Sequence, residues 1–197
     1  MPTPRANAQH RITDQPSPWI SRFVQLAHPG GSALDLAAGH GRHARVLASA
    51  GLAVVAVDRA SEALADLRAI GGVEVLEADL EGGPWPFAGR AFDVIVVANY
   101  LWRPLLPRLA DTLGPGGLLI YETFGVGNEL HGKPSNPEFL LQPGELLALA
   151  LQADLEVIAY ESGFTAHPKP AVVQRICARR GSPGPGPGPG LLERPAQ

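Results

Sequence analysis

Between residues 33 and 123 the chain alternates short, nearly unbroken apolar runs with stretches in which apolar residues recur every three or four positions. The runs at 33–37, 53–58, 73–78, 94–98 and 118–123 predict strands, and their continuity predicts burial on both faces. The intervening periodicity predicts helices over 43–50, ended by Gly51, and from a Ser61 cap to Gly71. A third helix, over 105–113, leads through the Gly-Pro-Gly-Gly of 114–117 into the fifth strand. Strands alternating with helices in this way predict an α/β domain, with a mostly parallel sheet and helices on both faces.

The two ends depart from that rhythm. Before the first strand, Ser17 and Pro18 suit a helix start, and Trp19, Phe23 and Leu26 repeat on one face. This segment either docks on the sheet or closes over a ligand as a lid. After a helix near 144–152 come two β-like runs, 155–162 and 171–179, joined by too few residues for a crossover helix. They should pair as a C-terminal antiparallel β-hairpin. Residues 1–16, polar and proline-punctuated, read as a flexible arm, 17–180 as the folded domain, and the Gly/Pro-rich 181–197 as a disordered tail.

Composition adds limits. A 197-residue chain that is 45% hydrophobic and 18% charged suits one soluble domain. A formal charge of −3 provides no overall field for nucleic acid or anionic membrane, so neither is expected as a partner. The single cysteine, Cys177, lies in an apolar run and reads as a buried thiol. With no signal-type segment and no bilayer-length apolar stretch, the reading is cytoplasmic. No His/Asp/Glu set has trustworthy metal spacing, and no metal is expected.

The chemistry concentrates in "LDLAAGHGRHA", residues 34–44. Gly39-His40-Gly41-Arg42-His43-Ala44 fits the G-x-G-x-x-A fingerprint of dinucleotide binding, and Asp58 follows Gly39 by 19 positions. Small residues let the backbone approach a ligand, and the helix start aims amides at it; pyrophosphate and carboxylate both suit such a cradle. Three acids follow the first three strands. Asp58 suits the two ribose hydroxyls of either ligand type, with Arg59 assigned beside it. Asp35 separates them, because a carboxylate repels pyrophosphate and attracts the amine of S-adenosylmethionine. Asp79 suits an adenine amino group, and the Leu80 amide a ring nitrogen.

At this point the sequence resembles class I S-adenosylmethionine-dependent methyltransferases over about residues 17–180. "ALDLAAGHGRHARVLA" is similar to their glycine loop, "VVAVD" to their ribose acid, "EADLEGGPWPFAGRAFDVIVVANYL" to their adenine and fourth-strand motifs, and "LGPGGLLIYETF" to their fifth-strand entry. The resemblance implies a Rossmann-like, seven-stranded sheet with its last strand antiparallel. "PSPWI", "GHGRHA" and "NYLWRPLLPRL" carry a narrower likeness to small bacterial methyltransferases of the tellurite-resistance type. The family often has Gly where this chain has Ala37, and Ala takes positive φ only at a cost.

The expected reaction is in-line methyl transfer from S-adenosylmethionine to a small-molecule acceptor, leaving S-adenosylhomocysteine. The cofactor would be held by Asp35, Ala37, Gly39, His40, Gly41, Asp58, Arg59, Asp79, Leu80 and Asn99. Asn99, Tyr100 and His131 are the candidate catalytic residues, with Tyr121, Glu122 and Asn128 as further substrate contacts. The Asn/Asp-Pro-Pro-aromatic motif of amino-methylating branches is replaced here by "NYLW". Two alternatives stand beside this reading: a nicotinamide-dependent oxidoreductase and a non-catalytic S-adenosylmethionine-binding module. Arg103 and Arg108, with Arg42 and Arg45, are the cations from which an RNA-binding edge would be built.

Overall fold

The computed structural model describes residues 15–181. Most of the expected arm and tail lies outside them. Seven strands form one sheet: β1 (Ser32–Leu36), β2 (Ala53–Asp58), β3 (Val73–Glu77), β4 (Phe92–Ala98), β5 (Leu113–Phe124), β6 (Leu155–Thr165) and β7 (Ala171–Arg180). Their order is β3-β2-β1-β4-β5-β7-β6, with β3 through β5 parallel and β7 antiparallel to both its neighbours. This is the Rossmann-like architecture of the methyltransferase resemblance, including the C-terminal hairpin. Chain direction across the sheet reverses between β1 and β4, so the carboxyl ends of those two strands open the crevice where such folds hold ligands.

Among the described residues five α-helices cover the sheet: α1 (Pro18–Phe23), α2 (Arg42–Ser49), α3 (Ser61–Leu64), α4 (Leu106–Thr112) and α5 (Glu145–Gln152). The first three pack on one face, where Trp19, Ile20, Phe23, Leu47, Leu64 and Leu67 meet Val54, Val94 and Ile120. The last two pack on the other, where Leu109, Leu146 and Leu149 meet Leu34, Ile95 and Tyr121. The N-terminal segment is therefore part of the core. Ser17 caps α1 by accepting the Trp19 amide at 3.2 Å, and its own amide donates to Nε2 of His43 at the same distance.

Two elements differ from the sequence expectation. The helix after β2 starts at Ser61 with Ala60 as the preceding cap position, and it tightens to a 3-10 helix over Ala65–Ala69. The Gly-Pro-Gly-Gly of 114–117 lies inside β5 and does not precede it. Pairing with β4 jumps from Phe92–Leu113 to Val94–Leu118, so these residues form a bulge. Glycine is required there by contact: a Cβ on Gly117 would lie 3.0 Å from the Phe92 carbonyl oxygen. No helix among the described residues is long and apolar enough to cross a membrane.

Candidate functional site

The turn from β1 into α2 is held by side chains and by an uncommon backbone. Ala37 has φ of 55° and Gly39 and Gly41 have 53° and 71°, so three of five loop residues are left-handed. For Ala37 that conformation costs about 1–2 kcal/mol, which Gly would avoid. Ala37→Gly is accordingly expected to raise the melting temperature by roughly 2–3 °C, the conformational relief outweighing glycine's greater freedom in the unfolded chain. Calorimetric unfolding checks it, and a lowered midpoint would show that the methyl group packs usefully.

Gly41 occupies the cap position of α2 and has no side chain to offer the helix's free amides. Asp35 replaces it from the strand: its carboxylate accepts the amide of Ala44, in the first turn. The residue is 1% exposed and its Oδ2 has no partner. Burial, which strips the carboxylate of water, raises its pKa from 3.8 to about 7; the Ala44 amide and the Arg42 charge counter this, and the Asp58 charge adds to it. The site thus contains a buried acid whose second oxygen is unpartnered.

Asp58 completes the loop from the end of β2. Its Oδ2 accepts the Gly39 amide at 2.8 Å and its Oδ1 the Ala60 amide at 3.0 Å. A carboxylate has about four acceptor positions, so two remain for ligand hydroxyls. Beyond it opens a cavity of about 260 Å³, lined by Ala37, Asp58, Arg59, Asp79, Leu80, Tyr100 and others. A Cβ on Gly39 would meet nothing within 4 Å, so the backbone is open to an approaching group. A second concavity of about 390 Å³, against Pro16, Gln25, Arg42 and Arg45, contains none of the three acids.

Tyr100 faces the acids of the cavity. Burial first, then the charges of Glu81 and Asp79, hold its phenol well above the ordinary 10, and its oxygen lacks a hydrogen bond of good geometry. It stays protonated, a hydrogen-bond donor unsuited to act as a base. Asp79 is held below its ordinary value chiefly by the amides of Glu81 and Gly82. Asn99 also has φ of 55°, a conformation Asn tolerates, and its amide donates to the Glu122 carbonyl at 2.9 Å.

Other sequence candidates lie elsewhere. His40 is exposed at the loop's tip, and its carbonyl accepts from Arg45 at 2.6 Å. His131 is exposed and not among the cavity's lining residues; its ring lies 5.0 Å from that of Phe164. Tyr121 is buried and donates to the Tyr100 carbonyl at 2.8 Å. Asn128 is buried too, donating to the Pro134 carbonyl and accepting from Val172. Both hold the fold together and are closed to a substrate. Glu122 is paired with Arg175 at 2.5 Å, and Arg175 also meets Glu161 at 3.2 Å, a charged row across β5, β7 and β6. Arg103, Arg42 and Arg45 all donate to main-chain carbonyls, so an RNA-binding edge would have to break internal bonds.

Three residues that the sequence does not mark as site residues, Ala78, Glu81 and Phe139, also border the cavity. Glu81 adjoins the Asp79-Leu80 pair and was within reach of the motif; Phe139 arrives from the loop after β5, and no local pattern marks it.

A family model described as "Methyltransferase domain" matches residues 33–117. A comparison with curated proteins finds no match. Among solved structures, TehB from Haemophilus influenzae is similar at 17% identity and a TM-score of 0.66, over 82% of this chain; the chain spans 61% of TehB's length. A TehB-like S-adenosylmethionine-dependent methyltransferase from Corynebacterium glutamicum is similar at 20% identity and 0.61, over 89% of this chain and 96% of its own. The [4+2]-cyclase SpnF also has the fold, at 12% identity and 0.61, over 83% of this chain and 80% of its own. At these identities the likeness concerns fold alone.

Proposed function

We propose that this chain, whose residues 33–117 match a methyltransferase domain and whose fold is shared by S-adenosylmethionine-dependent methyltransferases, transfers a methyl group to a small-molecule acceptor. S-adenosylmethionine is the cofactor this family implies. One observation carries the reading most: Asp35 lies buried beneath the glycine loop, and Asp58 and Asp79 line the cavity beside it. Asp35 has a buried oxygen without a partner, suited to the methionine amine. Asp58 has unused acceptor positions toward the cavity, suited to ribose hydroxyls. Asp79 and Leu80 border the same space, suited to adenine. The residues present therefore fit the group.

Bound cofactor supplies a methyl group already activated on a sulfonium. The protein's part is alignment and exclusion of water, and an in-line displacement requires a base only when the acceptor must lose a proton. Asn99, beside the β4 carboxyl end, is assigned to orient the methionine half and the acceptor. Tyr100 serves as a donor in the cavity. His131 is proposed to meet the acceptor on the loop side. The buried thiol of Cys177, pushed up to about 12 by burial, is inert and fits a reducing compartment such as the cytoplasm.

Calorimetric titration with S-adenosylmethionine, S-adenosylhomocysteine, NAD and NADP tests the reading, and the first two are expected to bind. Asp58→Ala should weaken S-adenosylhomocysteine by at least about 100-fold, because it removes two hydrogen bonds to a charged acceptor, each about 1.5–3 kcal/mol, and releases the Gly39 amide. Binding of a nicotinamide cofactor alone would overturn the assignment. Binding without turnover across an acceptor screen would leave a non-catalytic module.

A further inference from the structure

The loop that leaves β5 returns to the cofactor cavity with an aromatic side chain, and the contacts that hold it there are unusually complete. Phe139 ends a short 3-10 turn, Pro137–Phe139, capped by Asn136, whose side chain accepts the Glu138 amide at 3.1 Å. Its neighbours Leu140 and Leu141 are buried, yet Phe139 is 39% exposed at the cavity edge. Arg103, just after β4, fastens this turn from below. Its Nε and Nη2 grip both carboxylate oxygens of Glu145 at 2.7 and 2.9 Å, its Nη1 donates to the Glu138 carbonyl at 2.6 Å, and Nη2 also donates to that of Leu140 at 2.9 Å. Glu145 in turn accepts the Gln142 amide at 2.7 Å. The two carbonyls flank Phe139 in sequence, so the clamp sets the position of that ring and leaves the ring itself unbonded.

The geometry points to Phe139 as the aromatic wall against which the adenine packs, with Arg103 as its positioning residue. This rests on the cofactor reading above and deepens it. A half-exposed aromatic ring, with both flanking carbonyls held by Arg103 beside a cavity lined by Asp79 and Leu80, is built for a flat apolar partner. Only a planar fork spans a carboxylate and two carbonyls at once; a lysine reaches one of them.

Titration of the full chain with S-adenosylhomocysteine decides it. Phe139→Ala is expected to weaken binding roughly 5- to 100-fold, the range seen when an aromatic side chain stacked on a base is removed. Arg103→Ala should weaken it comparably, and the double variant should bind no worse than Phe139→Ala alone, because both changes remove the same contact. Arg103→Lys, which keeps a partner for Glu145 where Arg103→Ala does not fold, should share the loss. Wild-type affinity in Phe139→Ala, or losses that multiply in the double variant, would overturn the inference while leaving the cofactor reading intact. A wild-type chain that binds no S-adenosylhomocysteine would remove both.

Discussion

Removing residues 1–27 is expected to abolish cooperative unfolding of the domain, where a lid would have left a folded core with an uncovered cofactor mouth. Trp19, Ile20, Phe23 and Val24 are buried against Ala33, Ala38, Val96 and Ile120, so α1 seals the sheet beneath the glycine loop. Burial of side chains of this size stabilises by about 1.5–3 kcal/mol each. Four of them together match the whole net stability of a typical domain, about 5–15 kcal/mol. The truncation would also strip the donor from His43, whose Nε2 accepts the Ser17 amide in the core. Urea unfolding followed by circular dichroism measures this. A truncated chain that still unfolds in one sharp transition, changed only in affinity for S-adenosylhomocysteine, would restore the lid.

The docked helix α1 is only half legible in the sequence. Its apolar spacing and its Ser17 cap are local, and both are present as read. Whether the apolar face meets the sheet or a ligand depends on His43, 26 residues away, and on β5 and β7. Strand β2 runs over the residues its apolar run marks, Ala53–Asp58, because a buried parallel strand has one composition along its length. The hairpin follows from a connection too short to cross the sheet. The bulge in β5 has no local signature, because Gly-Pro-Gly-Gly is the same text whether a chain turns or kinks within a strand. The sequence marks Tyr121 and Asn128 as substrate contacts because a polar loop after a strand usually faces the ligand; their partners, the Tyr100 and Pro134 carbonyls, are fixed by tertiary packing. The Arg103 clamp joins residues 35 to 42 positions apart and leaves no periodic trace.

Asp35→Asn is expected to make the ligand-free protein's stability depend on pH in a way the wild type's does not. Asp35 has its pKa raised from 3.8 to about 7 by burial. Between those values the folded state retains a proton that the unfolded chain has released, so this residue makes stability fall as pH rises through the window. His43, lowered from 6.5 to about 3 by burial and then by the Arg42 charge, acts oppositely. Between 3 and 6.5 the unfolded imidazole holds a proton that the folded one has lost, so stability rises with pH there. Each slope reaches about 1.4 kcal/mol per pH unit, and from about pH 4 to 6.5 they nearly cancel. With Asn at 35, the His43 slope stands alone. Relative to wild type, the variant's stability should climb by about 3–4 kcal/mol from pH 4 to 7.5, starting below it because the new amide has a donor with no acceptor. Denaturant titrations at several pH values measure the difference, and a pH-independent one would mean that Asp35 is ionised throughout. On the proposed reading, the methionine amine is the partner that offsets the cost of ionising Asp35 at neutral pH. Wild-type affinity for S-adenosylhomocysteine should accordingly rise about tenfold per unit from pH 5 toward 7, as the ligand's ammonium displaces the Asp35 proton, and that rise should vanish in Asp35→Asn.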